Sequence, residues 1–213
     1  DYNSVGFDKL LLMSKKDKEL IKDYISESKI YMVENLRYSS YEKKYLLNKK
    51  TLEENNKTNL KNMKILLFGD YDKATTKGML KIVHKTIIDN QDIIIKYRPH
   101  PSCFLELPPD NRIKLSTEDI NKEILNSDLI ISSSITSACI DAYIRGNSRI
   151  AIFLLNDKFN LSPLRNFENI KSFSSEKELK KIISEENIKE NFDNSKLINI
   201  NISLNNWKII FFK

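Results

Sequence analysis

The sequence predicts an α/β fold: a doubly wound parallel sheet with an N-terminal βαβ segment. Three observations carry this. From Met63 onward, short runs whose apolar residues are mostly consecutive rather than alternating recur in "MKILLFG" (63–69), "DIIIKY" (92–97), "DLIIS" (128–132) and "RIAIFL" (149–154), as strands buried on both faces require. Most of the segments between them space their apolar residues by three and four, the period of a helix with one buried stripe. The two patterns largely alternate, which is how parallel strands are joined by crossover helices.

In chain order, "DKLLLMS" (8–14) is expected to form a short strand and "KKDKELIKDYIS" (15–26) a helix with Leu20, Ile21 and Tyr24 on its apolar face. "KIYMVENL" (29–36) is expected to form a second strand, completing one βαβ unit over residues 1–37. Residues 38–62 are rich in Tyr, Lys and Asn with little periodicity beyond a helical stretch at "SYEKKYLL", and are assigned as a linker. The regular domain, 63–190, is predicted as strand 63–69, helix 74–89, strands 92–97 and 112–115, helix 117–126, strand 128–132, helix 134–145, strand 149–154 and helix 175–185. Gly146 ends the third of these helices, and Ser174 or Ser175 caps the last. The tail, 191–213, closes on the apolar cluster of "NISLNNWKIIFFK" and is expected to pack on the core or on a missing domain.

Composition narrows the function classes. With 213 residues, 40% of them hydrophobic, the chain can bury a full core. Its two cysteines, Cys103 and Cys139, show neither a CxxC nor a Cys/His ligand spacing, which fits a reducing cytoplasm. No run approaches the roughly 18 apolar residues of a membrane-spanning helix, and the first residues carry no signal-peptide pattern. Lys and Arg (35) exceed Asp and Glu (29) by 6, but the excess is dispersed lysine without an arginine and aromatic stripe, so no nucleic-acid partner is expected. The chain opens on Asp1 rather than methionine and is expected to be a piece of a longer polypeptide.

In sheets of this kind ligands bind beyond the carboxyl ends of the strands. Three junctions there carry chemistry. In "FGDYDKATTKG" (68–78), Gly69 permits close backbone approach, Asp70 follows it, and Thr75 or Thr76 can cap the next helix while its amides face an anion; a plain turn with a cap is the alternative. In "KYRPHP" (96–101), Pro99 and Pro101 hold His100 in extended backbone at the strand tip, where it can donate to a phosphate oxygen while Lys96 or Arg98 adds charge. The alternative is a histidine that only pins its loop; His84, inside a predicted helix, is assigned a structural role. The third junction runs from a buried strand into Ser132, Ser133, Ser134, Thr136 and Ser137, hydroxyls and amides suited to an anion. Asp141, four residues beyond Ser137 and so on the same helix face, can accept from a ribose diol, unless the serines are simple caps and the aspartate faces solvent.

"RPHP" followed by "SDLIISSSITSACIDAYIRGNSRIAIF" (127–153) resembles the donor-binding domain of GT-B glycosyltransferases, in which an acid five residues before a helix-ending glycine holds the ribose, as Asp141 stands to Gly146. More narrowly, the His-Pro pair and the serine cluster are similar to the HP and S/T motifs of bacterial sialyltransferases and related CMP-sugar transferases. "YMVENLRYSSYEKKYL" followed by "ILLFGDYD" is similar to bacterial surface-carbohydrate biosynthesis proteins. The resemblance, over residues 29–173, implies a Rossmann-like half of a GT-B fold that binds a nucleotide-sugar donor, a CMP-sugar by the narrower resemblance, and acts on a glycan or glycolipid acceptor in surface polysaccharide or lipopolysaccharide synthesis. It implies a cytoplasmic protein in peripheral contact with the inner membrane. His100 would stabilise the departing phosphate, with Pro101 shaping its loop, and Ser132, Ser133 and Ser134 would hold the other phosphate oxygens, with no metal and no cofactor. The acceptor site and general base would lie in a missing N-terminal domain, of which residues 1–37 would be a remnant, so the chain alone is expected to be an incomplete enzyme. A transferase of polyol phosphate from a CDP-linked donor, and a non-catalytic α/β binding module, are the alternatives.

Overall fold

The computed structural model describes residues 6–38, 62–88, 92–145, 147, 149–155, 159–167, 169–185, 197–201 and 203–212. Most of the expected linker, and Gly146, lie outside the described residues. The elements in chain order are β1 (Leu10–Leu12), α1 (Lys15–Ile21), β2 (Ile30–Met32), β3 (Met63–Phe68), α2 (Lys73–Ile88), β4 (Ile93–Arg98), β5 (Ile113–Leu115), α3 (Ile120–Leu125), β6 (Leu129–Ser133), α4 (Ala138–Ile144), β7 (Ile150–Phe153), β8 (Lys171–Phe173), α5 (Glu176–Ser184) and α6 (Asn205–Phe211). The chain divides into two compact units, one of residues 1–54 with 191–213 and the other of residues 55–190.

In the first unit β1 and β2 pair in parallel, Leu10 opposite Ile30 and Leu12 opposite Met32, with α1 as their crossover. Ser14 caps α1 through its side chain, which accepts from the Asp17 amide. The tail belongs to this unit. The Asn199 amide donates to the Met13 carbonyl (2.6 Å), and the carboxylate of Glu34 accepts from the Asn206 amide (3.0 Å) at the start of α6. The Trp207 indole N–H donates to the Glu34 carbonyl (2.7 Å). The sequence expectation did not include α6.

The second unit is a six-stranded parallel sheet in the order β5-β4-β3-β6-β7-β8, which is the Rossmann-like, doubly wound arrangement. Both faces are covered. On one, Ile65 and Leu67 of β3, Ile95 and Tyr97 of β4 and Phe153 of β7 pack against Met79, Val83 and Ile87 of α2 and Leu179 of α5 in one buried cluster. Of the residues of alternate parity, Leu66, Ile130 and Ile152 in the central strands are as fully buried, as are Ile124 of α3 and Cys139 and Ala142 of α4, while Ile94, Lys96 and Arg98 of β4 are half-buried. This two-sided burial is why the strands read as continuous apolar runs. At the sheet's edge β8 buries only Phe173 among its three residues, too short a pattern to have been expected as a strand.

Two crossovers depart from helical regularity. Residues 134–137 were expected to be helical, but α4 begins at Ala138, because the chain first turns over the Ser133 hydroxyl. The β4–β5 crossover, residues 99–112, carries no helix. Pro99, Pro101, Pro108 and Pro109 rule one out, and the segment runs extended beside α2, with Leu105 and Leu107 packed on the core and Phe104 and Glu106 turned out.

Candidate functional site

The strand order places β3 beside β6, at the point where the sheet's connections diverge and a ligand crevice is expected beyond the strand ends. Asp70, two residues past β3, is wholly buried there. Its carboxylate accepts from the Ser133 hydroxyl at the end of β6 and from the Asp72 amide (2.8 Å). The Asp70 amide donates to Thr76 Oγ1 (2.9 Å), whose own hydroxyl donates to the Asp70 carbonyl (3.0 Å). Thr76 therefore clamps the turn instead of capping the helix. The cap of α2 is Asp72, whose carboxylate accepts from the Thr75 amide (2.9 Å) and hydroxyl (2.6 Å). This corrects the expectation of a threonine cap with open amides: a carboxylate already sits at that helix end.

His100 lies against the same turn. A β-carbon on Gly69 would stand 3.1 Å from the His100 backbone nitrogen and 2.9 Å from the Tyr97 hydroxyl, so the close approach that glycine permits is between two loops of the protein. The turn is closed by the Cys103 amide donating to the His100 carbonyl (2.9 Å), with Pro101 at its second position. The Ser102 amide donates to His100 Nδ1 (3.1 Å). That bond pins the loop, and in the neutral ring it also puts the remaining proton on Nε2. Nε2 has no partner among the described residues, so the ring offers one donor, and Tyr71 packs edge-on to it with centroids 6.3 Å apart.

The remaining candidates divide. Ser133 is buried, with its hydroxyl directed to Asp70 and its oxygen facing the Ile135 and Thr136 amides (3.4 Å each). Ser132 donates to the Ser133 carbonyl (3.1 Å), and the Ser134 amide extends pairing toward β7 through the Phe153 carbonyl (3.2 Å). Thr136 Oγ1 accepts from the Ala138 amide (3.3 Å), whereas Ser137 begins α4 without a side-chain cap and is exposed. Asp141 is buried, not solvent-facing, and lies 3.6 Å from Arg145. Arg98 is not brought to the crevice. Its Nη1 donates to Glu123 (3.1 Å), to the Glu118 carbonyl (2.9 Å) and to Ser116 (3.2 Å), because Lys96 and Arg98 share the sheet face opposite Tyr97.

Tyr97 was missed as a site residue. It is fully buried under the Gly69 turn, its hydroxyl has no hydrogen-bond partner among the described residues, and burial pushes its pKa up to about 12. A polar group ending an otherwise isoleucine-rich strand was the available signal. Since an orphaned buried hydroxyl is costly, Tyr97→Phe is expected to leave stability unchanged or to raise it by about 1 kcal/mol. Chemical denaturation of the two proteins measures this, and a loss above that size would mean that the hydroxyl has a partner.

Among the described residues no cluster of three or more His, Cys, Asp or Glu side chains is arranged to hold a metal ion, and no helix is long and apolar enough to cross a membrane.

The chain has the Rossmann-like half of a GT-B fold. No protein-family model and no curated protein matches it. Among solved structures it is similar to the UDP-GlcNAc 2-epimerase of Methanocaldococcus jannaschii, determined with UDP-GlcNAc and UDP. That match has a TM-score of 0.60 and 18% identity over 97% of this chain and 61% of that one. A putative UDP-N-acetylglucosamine 2-epimerase from Listeria monocytogenes gives a TM-score of 0.53 and 15% identity over 92% of this chain and 56% of that one. The wall teichoic acid polymerase TagF gives 0.50 and 16% over 95% and 56%. At these identities the shared property is the fold, and the chain spans between 56% and 61% of the length of these structures.

Proposed function

We propose that the crevice beyond β3 and β6 binds the nucleotide of a sugar donor, and that the chain is the donor-binding part of a glycosyltransferase of surface-polysaccharide or lipopolysaccharide synthesis. The observation that carries this is His100: a rigid loop at the strand ends fixes Nδ1 on a backbone amide and leaves Nε2–H without a partner among the described residues. As the bond between sugar and phosphate breaks, negative charge gathers on the phosphate, and a donor already held in place lowers that barrier without reorganising. The resemblance of the His-Pro pair at His100 and Pro101 and of the serine cluster over Ser132 to Ser137 supports a CMP-linked donor. A CDP-linked polyol phosphate would present the same phosphate to the same donor.

Calorimetric titration with CMP, CDP, UDP and GDP separates these donors. His100→Ala is expected to weaken the preferred nucleotide by one to two decades, the equivalent of about 1.5–3 kcal/mol for a hydrogen bond to a charged group, without changing the unfolding midpoint by more than a degree or two. Equal affinities for the two proteins would leave His100 as a loop pin only.

A further inference from the structure

The β4–β5 crossover has a second effect, on α2. Because that segment is extended, it leaves a groove of about 640 Å³ between itself and the exposed flank of the helix. One wall is Lys73, Lys77 and Lys81, spaced four apart and therefore in line. None of the three has a carboxylate or hydrogen-bond partner among the described residues, whereas Lys18, Lys96 and Lys180 are each paired with a glutamate. The other wall is the crossover itself, with Phe104 73% exposed. Glu106 is the one acid among the described residues that line the groove, and His84 at its end faces Asp110 (3.4 Å), which Arg112 also holds (2.6 Å). Both walls begin at the candidate crevice, since Lys73 follows the Asp72 cap and the crossover follows His100.

We infer that this groove binds an extended acidic polymer, an acceptor glycan that carries phosphodiester or carboxylate groups. Four residues of helix advance about 6 Å, so the lysines present three cations at that interval along about 12 Å, matching a chain that carries an anion on each successive unit. The concave shape favours a chain over a bilayer, because Leu105 and Leu107 pack against the core and, among the described lining residues, Phe104 is the one large apolar side chain that is mostly exposed. The polymer's role as acceptor rests on the transferase proposal; its binding does not.

The test measures fluorescence anisotropy of labelled inorganic polyphosphate and labelled oligosialic acid without nucleotide. It compares the wild-type chain, the triple variant Lys73→Gln, Lys77→Gln, Lys81→Gln, and a control triple of equal charge, Lys64→Gln, Lys114→Gln, Lys171→Gln. The groove triple is expected to weaken binding of at least one polymer tenfold or more and to lower the salt dependence by about 2 to 3 released counterions, while the control triple stays within about twofold. Preference for polyphosphate or for oligosialic acid tells phosphate-type anions from carboxylates. Equal losses in the two triples, or no loss in either, would overturn the inference. So would wild-type binding to phosphatidylglycerol vesicles with none to either polymer. Calorimetry with the preferred nucleotide is expected to give the same affinity for the groove triple as for wild type, so a failed nucleotide site and a failed groove are distinguishable.

Discussion

Replacing Arg98 by alanine is expected to lower the unfolding free energy by about 3–5 kcal/mol. The reason is Glu123, whose side chain is 0% exposed and 3.1 Å from Arg98 Nη1. Its other neighbours are the Ser116 hydroxyl and Lys96 Nζ at 3.7 Å, and Lys96 lies closer to Glu118, at 2.6 Å. Removing the guanidinium thus leaves a desolvated carboxylate with one distant cation, and breaking a buried pair from one side costs far more than the pair contributes. Arg98→Met combined with Glu123→Leu should recover most of the loss, since both charges are then gone. Urea unfolding followed by circular dichroism measures each variant. A loss below about 1 kcal/mol for Arg98→Ala would show that solvent or Lys96 already satisfies Glu123.

The next largest effect is expected at Ser133. Its hydroxyl and the Asp72 amide are the donors recorded for the Asp70 carboxylate, which is wholly buried. Ser133→Ala takes one away and is expected to cost about 2–4 kcal/mol. In an Asp70→Asn background the same substitution should cost about 1–3 kcal/mol less, because a neutral amide tolerates the missing donor. Additive costs in that cycle would show that the two side chains are not coupled. With its hydroxyl directed to Asp70, Ser133 serves the site by fastening the end of β6 to the turn after β3.

The two cases show where the sequence is readable. The strands over 63–69, 92–97, 128–132 and 149–154 were legible because burial leaves runs of consecutive apolar residues, broken only at Lys64 and Lys96, whereas the strand order that sets β3 beside β6 was not read from the sequence. The destination of a side chain was not. Arg98 is 25 residues from Glu123, and Asp70 is 63 from Ser133; neither pairing leaves a periodic trace, so a cation beside a histidine at a strand tip read as a free ligand group. The Asp72 cap was legible in principle, an aspartate just ahead of the helix and three residues before Thr75, but the threonines drew the assignment. At α6 local signals are weak: Leu204 before it adopts φ 50°, and the capping carboxylate comes from Glu34, 172 residues away from Asn206.

The position of β3 bears on how the domain assembles. It pairs with β4 on one side and β6 on the other. The first pairing needs only the crossover through α2 and can form early, whereas the second must wait until residues 129–131 are available to close a much longer loop. During synthesis β3 therefore has one unpaired edge while the two crossovers that follow β4 are made. The nascent domain is open along the line where the proposed ligand crevice later forms, and that edge is where a misfolding or chaperone-bound intermediate would expose backbone.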